Sequence, residues 1–335
     1  MIDFFSLSKP QQRLVIEQVQ SGLGIPLQAI EKDLWVTCVL QILFSVDLKA
    51  DVVFKGGTSL SKMGNLIERF SEDIDIAINP AICGFEGNPT KKQLKNLRKS
   101  SSLYVKNDLS MVLQSVMEKY GLNTSLIVMP EPDGIGDSTY PEPRKIFIEY
   151  QSLFPSSIDY LQNRVVLEVG MRSLMEPTEN IYVKSLISSA LPDVNTSVVN
   201  PIITTASPQK TFLEKVCLLH ELFSAKVKAE NADRRSRHLY DLERMMDMDF
   251  AINSLRNNEL WDNIQHHRSI FTSVAGVDYS VDFRKYIVLC PPESVLSAWK
   301  NDYRQMCETM IYGEKLPFER LIERIRELED RFHNL

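Results

Sequence analysis

Residues 51–77 constrain the fold of this chain more than any other part of the sequence. They open with a short apolar run rich in strand-forming residues, 52–54, which two adjacent glycines interrupt at once. A short amphipathic segment follows at 58–66, and a second strand pattern at 73–76. The stretch therefore predicts a strand, a glycine turn, the start of a helix and a second strand.

The second predicted strand carries two carboxylates. Side chains alternate between the faces of a strand, so Asp73 and Asp75 share one face, while Ile74 and Ile76 point into a core. Two carboxylates so close repel each other unless a cation lies between them, and hard oxygen ligands suit Mg²⁺. A strand edge in contact with solvent is the alternative interpretation of an isolated Asp-x-Asp pattern.

The glycine turn supplies the second part of a nucleotide site. Backbone N–H groups at the start of a helix bind phosphate, and Gly56, Gly57, Thr58 and Ser59 stand at such a start. The turn and the Asp-x-Asp strand together predict a unit that holds a nucleoside triphosphate at its phosphates and at its metal.

Glu168 is a third candidate metal ligand. It lies in the segment 163–172, NRVVLEVGMR, as a lone carboxylate inside an otherwise apolar strand pattern. A charge in such a place is costly unless it is paired or bound to a metal. A charged residue on an exposed sheet edge is the alternative.

From Pro208 the sequence pattern changes to helix. Lys215 lies beside an apolar stripe in the first helical segment, and Arg237 and Asp241 are one helical turn apart in the next. Spacing alone predicts an amphipathic helix pair that carries a surface Arg–Asp pair. We accordingly divide the chain into an α/β core, residues 1–206, and a helical domain, residues 207–335.

Composition narrows the function classes. A length of 335 residues allows two domains. A net charge of -6 argues against a protein that binds along nucleic acid through an overall positive charge. The segment 91–99 is nevertheless basic, which predicts either a solvated helix face or a local surface for phosphates. The residues concerned are Lys91, Lys92, Lys95, Arg98 and Lys99.

Cysteine usage and hydropathy predict the compartment. The 5 cysteines are scattered, which fits reduced thiols in a cytoplasm better than disulfides or zinc. The sequence has neither a signal-peptide pattern nor an apolar window long enough to span a membrane, so we expect a soluble cytoplasmic protein. It also lacks the phosphate-binding G-x-x-x-x-G-K-[ST] loop and the G-x-S-x-G motif of serine hydrolases.

Several of these motifs together resemble one protein family. The pieces FKGGTSLSK and RFSEDIDIAI, then TFLEK-x-x-LLH, SRHLYDL and WKNDYRQMCETMIYG, are similar to blocks of the AbiEii/AbiGii nucleotidyltransferase toxins. The resemblance covers most of the chain and is weakest between residues 80 and 160. It implies a nucleotidyltransferase-fold mixed sheet with flanking helices, followed by an α-helical domain that completes the nucleotide site.

The resemblance also implies roles for particular residues. The metal ligands are Asp73, Asp75 and Glu168, and the catalytic set adds Lys215 and Asp241. In this family the lysine is expected to meet the phosphates of the nucleotide, and the aspartate and its neighbours to complete the pocket. The nucleotide-binding set is Gly56, Gly57, Thr58, Ser59, Lys62, Arg69, Ser71 and Arg237.

The function implied is a Mg²⁺-dependent transfer of a nucleotidyl group from a nucleoside triphosphate to the acceptor end of a tRNA. The chain would be the toxin of a toxin–antitoxin pair, of the kind that serves abortive infection and phage defence, with a cognate antitoxin protein as partner and no membrane association. Three alternatives stay open: transfer to a protein hydroxyl, transfer to a small molecule such as an aminoglycoside, and a non-catalytic module that only binds nucleotide.

Overall fold

The computed structural model describes residues 2–64, 66–71, 73–122, 125–135, 138–154, 162–199, 202–224 and 232–335. The chain divides into two compact units: Met1–Met63 with Ser71–Thr205, and Gly64–Phe70 with Ala206–Leu335. The first contains a mixed sheet with helices and the second is helical, so the predicted fold class is confirmed. The short segment 64–70, which the predicted division placed in the core, belongs to the second unit.

The first unit is built on a seven-stranded mixed sheet, beside which two short strands form a separate pair. The strands are β1 (Ile2–Asp3), β2 (Val52–Lys55), β3 (Asp73–Ile78), β4 (Leu126–Pro130), β5 (Arg144–Tyr150), β6 (Arg164–Gly170), β7 (Thr178–Tyr182), β8 (Val194–Asn195) and β9 (Ile202–Ala206). The sheet order is β4-β5-β6-β3-β2-β9-β7, and β1 pairs separately with β8. Strand β3 is antiparallel to β2 and parallel to β6, while β5 is antiparallel to β6.

The first unit also contains helices. They are α1 (Lys9–Leu23), α2 (Leu27–Phe44), α3 (Gly56–Lys62), α4 (Lys91–Tyr104), α5 (Ser110–Lys119) and α6 (Leu186–Ala190). A π-helical turn, Val105–Leu109, joins α4 to α5, so these elements form one continuous helical run. Helix α1 continues through Gly22 and ends before Gly24, whose left-handed φ of 67° closes the helix.

One face of the sheet is apolar and covered by helices. Ile74, Ile76 and Leu167 are completely buried on it. Arg144 shares this face and donates to Ser102 Oγ on α4 at 2.9 Å, which places the α4–α5 run over it. Helix α2 packs against β3, β6 and α5 and extends the same layer. The alternate residues of β3 and β6 therefore point to the opposite face.

The second unit consists of helices packed around aromatic residues. The helices are α7 (Pro208–Ser224), α8 (Ser236–Met245), α9 (Asp249–Leu255), α10 (Asn258–Phe271), α11 (Leu296–Thr309) and α12 (Phe318–His333). Helix α7 packs against α8, α9 and α10, and α8 packs against α11 and α12. Trp261 is buried against the rings of Phe283 and Phe332.

The apolar pattern of residues 250–272 predicts a single helix, and this prediction is wrong. The chain breaks after Leu255, and α10 restarts with Asn257 as its cap. The side chain of Asn257 accepts from the backbone N–H of Leu260 at 3.1 Å, which satisfies a donor that the new helix would otherwise leave open.

The segment Gly64–Phe70 is held in the second unit by backbone pairing. Arg69 forms an antiparallel bridge with Ile311, and Phe70 N donates to Met310 O at 2.8 Å. Tyr312 N donates to Glu68 O at 3.1 Å. These bonds fix the position of Arg69. In the described part of the chain no helix is long and apolar enough to cross a membrane.

Replacing Asn257 by Ala should destabilise the helical unit, because α10 loses its cap. We expect the free energy of unfolding to fall by about 0.5–2 kcal/mol in urea denaturation, the usual cost of removing such a cap. Asn253→Ala, at an exposed position inside α9, is the matched control and should leave stability unchanged or slightly higher. Equal losses from both variants would contradict the role of Asn257 as a cap.

Candidate active site

Strands β3 and β6 bring three carboxylates to one face of the sheet. Asp75 lies directly opposite Glu168 in the parallel pairing, and Asp73 precedes Asp75 by two residues on the same face. All three are partly exposed. The structure thus places together the three residues that the sequence analysis named as metal ligands, on the face opposite the helical layer.

Two lysines that the sequence analysis did not name extend this group into a row across four strands. Lys55 pairs with Asp75 from β2, and Lys145 pairs with Glu168 from β5. Lys145 Nζ lies 2.8 Å from Glu168 Oε1. Burial lowers the pKa of Lys145, but the hydrogen bond to Glu168 and nearby negative charges outweigh burial and raise it above its ordinary value. Only the strand register reveals this row.

The donor set of this face fits Mg²⁺. Asp73 and Asp75 offer two carboxylates side by side, and Mg²⁺ in proteins commonly takes one or two carboxylates while water and substrate phosphates complete its shell. Among the described residues, however, no group of three His, Cys, Asp or Glu side chains converges so as to hold one ion. Glu168 is turned to Lys145, and the predicted three-ligand set is not assembled around one point.

Gly56 brings the glycine turn against Asp75. It has a φ of 79°, which disfavours residues with a side chain, and a Cβ built there would lie 2.1 Å from Asp75 Oδ2. The carboxylate therefore sits directly over the backbone at the start of α3. A glycine is required at this position for both reasons.

The hydroxyl groups of the turn donate to backbone carbonyls, one in β3 and one in the turn itself. Thr58 Oγ1 donates to the carbonyl of Asp73 and lies 2.9 Å from Ser71 Oγ, and Ser59 Oγ donates to Gly56 O at 2.8 Å. Thr58 and Ser59 are buried. No described side chain caps the first turn of α3, so its backbone N–H groups, those of Gly56 and Gly57 included, are what the turn offers to an anion.

The ammonium group of Lys62 is held by three acceptors within the first unit. Its Nζ donates to Asp33 Oδ1 at 2.5 Å, to Thr37 Oγ1 at 2.9 Å and to Lys184 O at 3.0 Å. These three bonds use all the donors of an ammonium group. The arrangement indicates that Lys62 ties α3 to α2 and leaves its ammonium no donor for the predicted contact with nucleotide.

The second unit contains a buried charge cluster centred on Asp241. Arg69 binds this carboxylate through two bonds, Nε to Oδ1 at 2.7 Å and Nη2 to Oδ2 at 2.8 Å. Lys215 Nζ lies 2.8 Å from Oδ2. The Asp241 and Arg69 side chains are 0% and 1% exposed, so this cluster is removed from water.

Electrostatics within the cluster act in opposite directions on its members. Burial raises the pKa of Asp241, but the adjacent Arg69 and Lys215 charges outweigh it and hold that pKa well below its usual range. Burial lowers the pKa of Lys215, and Asp241 only partly offsets this because Arg69 and Arg237 also disfavour its charge. The cluster therefore carries excess positive charge.

This geometry corrects the interpretation from helical spacing. Asp241 is buried and bound by Arg69 and Lys215, whereas spacing alone predicted a surface pair with Arg237. Arg237 is partly exposed and forms no ion pair with any residue that the structure describes. The buried Nδ1 of His238 also has no hydrogen-bond partner within the described ranges. Among the residues that the structure describes, the cluster thus has three cations for one carboxylate.

The comparison with protein families decides the identity of the chain. Residues 39–325 match the family described as "Nucleotidyl transferase AbiEii toxin, Type IV TA system". The chain belongs to this family. It is a nucleotidyltransferase and the toxin of a type IV toxin–antitoxin system, so the expectation of an enzyme is confirmed and the non-catalytic alternative is set aside.

Two solved structures are similar over nearly the whole chain. The nucleotidyltransferase toxin MenT4 of Mycobacterium tuberculosis H37Rv is 17% identical, with 98% of this chain and 99% of that chain covered and a TM-score of 0.46. JHP933 from Helicobacter pylori is 13% identical, with 92% and 94% covered and a TM-score of 0.46. Similarity at this distance does not bear on individual site residues. Sequence comparison with curated proteins gives no match.

Gly56→Ala should disturb the carboxylate face more than its backbone conformation alone explains. Gly84 has a similar φ of 76° but nothing within 4 Å of an added Cβ, so Gly84→Ala isolates the conformational cost of about 1–3 kcal/mol. Gly56→Ala adds the collision with Asp75, and we expect a larger loss of stability in chemical denaturation together with loss of transfer activity. Equal stability of the two variants would contradict the close approach.

Asp241→Asn should destabilise the protein by about 3–5 kcal/mol, because it leaves two cations buried without a counter-charge. Lys215→Met keeps Asp241 paired with Arg69 and replaces a buried ammonium by an apolar group of similar length. Its melting temperature without nucleotide should stay level or rise. If Lys215→Met melts as early as Asp241→Asn, the fold itself requires the lysine.

Proposed function

We propose that this nucleotidyltransferase uses Mg²⁺ to move a nucleotidyl group from a nucleoside triphosphate to RNA, with the acceptor end of tRNA as the target. The observation that carries the proposal is the carboxylate face of the sheet, where Asp73 and Asp75 lie beside a glycine turn that a side chain at Gly56 would block. In this proposal the two carboxylates are the oxygen ligands of the cation, and the backbone N–H groups of the turn bind phosphate.

Asp73 and Asp75 would hold the Mg²⁺, which when bound supplies positive charge to the phosphate oxygens and the leaving group. The N–H groups at the start of α3 orient the phosphates of the triphosphate. Thr58 and Ser59 keep that turn in shape through their bonds to Asp73 and Gly56. Groups held in position before substrate binds stabilise developing charge without rearrangement, and this supports the proposal.

The cation cluster of the helical unit would bind further phosphate groups of the substrates. Arg237 brings a guanidinium without an ion partner among the described residues, and Lys215 brings an ammonium that shares its carboxylate with Arg69. Asp241 holds Arg69 and Lys215 in fixed positions. We therefore give Asp241 a positioning role and assign the phosphate contacts to Lys215 and Arg237.

A basic surface on the first unit supports a nucleic acid as acceptor. Lys91, Lys92 and Lys95 are exposed on α4 and form no ion pair within the described ranges. Uncompensated lysines on one helix of an acidic chain favour a polyanion over a neutral small molecule. A protein hydroxyl and an aminoglycoside-like molecule are the competing acceptors, and the cognate antitoxin is the expected partner.

The experiment is to incubate the protein with each α-labelled triphosphate, Mg²⁺, and total RNA or total protein. We expect one or more triphosphates to label RNA of tRNA size, and chelation of the metal to stop the labelling. Label in the protein fraction or in a small molecule would replace RNA by that acceptor, and label in no fraction would contradict the proposal.

Asp73→Asn and Asp75→Asn test the metal assignment. Each should lower the transfer rate by more than about 100-fold, because even the outer-shell partners of metal ligands contribute about 10- to 100-fold. Asp108→Asn is the matched control: it makes the same charge change at an exposed position of the helical layer and should transfer normally. Near-normal transfer by either Asp73 or Asp75 variant would remove that residue from the metal site.

A further inference from the structure

Lys145 is held opposite Glu168 by its own backbone N–H, by the buried Arg144 before it and by the strand register. The neighbouring Arg144 is fully buried and donates to Glu131 O at 3.0 Å and to Ser102 Oγ at 2.9 Å. The backbone N–H of Lys145 donates to Glu131 Oε2 at 3.0 Å. The antiparallel pairing of β5 with β6 then sets Lys145 directly across from Glu168. The backbone position of Lys145 therefore keeps its side chain on the carboxylate face.

The ion pair between the two residues is only partly open to water. Lys145 Nζ lies 2.8 Å from Glu168 Oε1, and the two side chains are 40% and 23% exposed. A contact this short between charged groups is a charge-assisted hydrogen bond, stronger than one between neutral groups. Glu168 therefore already has a cation, and that cation is part of the chain.

The formal charges on the carboxylate face also indicate that no second divalent ion is needed there. Asp73, Asp75 and Glu168 bring three negative charges, and Lys55 and Lys145 bring two positive ones in register with them. One divalent ion reverses the single net negative charge and prepares the face for a triphosphate. A divalent ion bound by Glu168 would lie against the Lys145 ammonium and would have to displace it.

We infer that Lys145 is a built-in cation of the active site, which occupies Glu168 so that the carboxylate face takes one divalent ion, at Asp73 and Asp75, instead of two. The inference rests on the proposed function for the identity of the Asp73 and Asp75 site. Lys145 acts through Glu168, whose orientation and charge it fixes, and is a positioning residue.

The test is to count bound Mn²⁺ per chain, with Mn²⁺ alone as the probe, by electron paramagnetic resonance of the free ion and by calorimetry. The wild-type chain should bind one ion at the face, and Asp75→Asn should abolish it. Lys145→Met should bind a second ion, and so should Lys145→Gln, which covers the case that the methionine variant folds poorly. Lys145→Arg, which keeps the charge, should bind one.

Two controls assign the second ion. Adding Glu168→Gln to the Lys145→Met protein should return the count to one, because the new ligand is then lost. Lys119→Met, an exposed lysine on α5, should leave the count at one. Two ions on the wild-type face, the second lost in Glu168→Gln, would overturn the inference, as would a Lys145→Met protein that gains none.

Counting ions separates this inference from the proposed function. If the wild-type chain transfers nucleotides and binds two ions at the face, the role of Lys145 is wrong and the metal-dependent transfer stands. If the face binds no Mn²⁺ and Asp73→Asn transfers normally, the metal assignment fails and the inference fails with it.

Discussion

The pairing of β3 with β6 is the constraint on which the first unit depends. It places Asp75 beside Glu168, and at about 5 Å and an effective dielectric constant of about 20 two such charges repel by about 3 kcal/mol. The same register buries Ile74, Ile76 and Leu167 on the opposite face, where each apolar side chain contributes about 1.5–3 kcal/mol. Burial outweighs repulsion, and a slip by one residue would expose the apolar set. The carboxylates are thus held together by the packing behind them.

Local pattern was sufficient for most of the elements but for only part of the candidate site. Alternation predicted β3 and β6 to within about two residues and placed Asp73 and Asp75 on one face, since a strand period of two residues is a local property. Glu168 is predicted as a metal ligand from its place in an apolar pattern and from the family resemblance, and the register of β3 with β6 shows it beside Asp75. Strand β7 and the break before α10 were missed, because β7 is short and mostly polar and one capping Asn sets the break.

Contacts between distant segments are what the sequence could not supply. Lys145 meets Glu168 only because β5 and β6 pair in one particular register. Arg69 reaches Asp241 only because a short segment between α3 and β3 pairs with the backbone of the helical unit. Neither contact leaves a periodic signal in the sequence. The family resemblance implied that Arg69 contacts the nucleotide. Its burial and its two bonds to Asp241 show it as the partner that fixes this carboxylate.

The charge balance around Asp241 is hard to explain by stability alone. Arg69 already binds both oxygens of this carboxylate, so the pair is complete without Lys215. Burying a further ammonium costs desolvation free energy, and a carboxylate already shared with Arg69 offsets only part of it. Buried ion pairs also seldom stabilise a fold more than apolar side chains of similar volume. A fold selected only for stability would place an apolar side chain at Lys215. The excess cation, together with the partly exposed Arg237, is instead what an anionic ligand such as a phosphate group would neutralise.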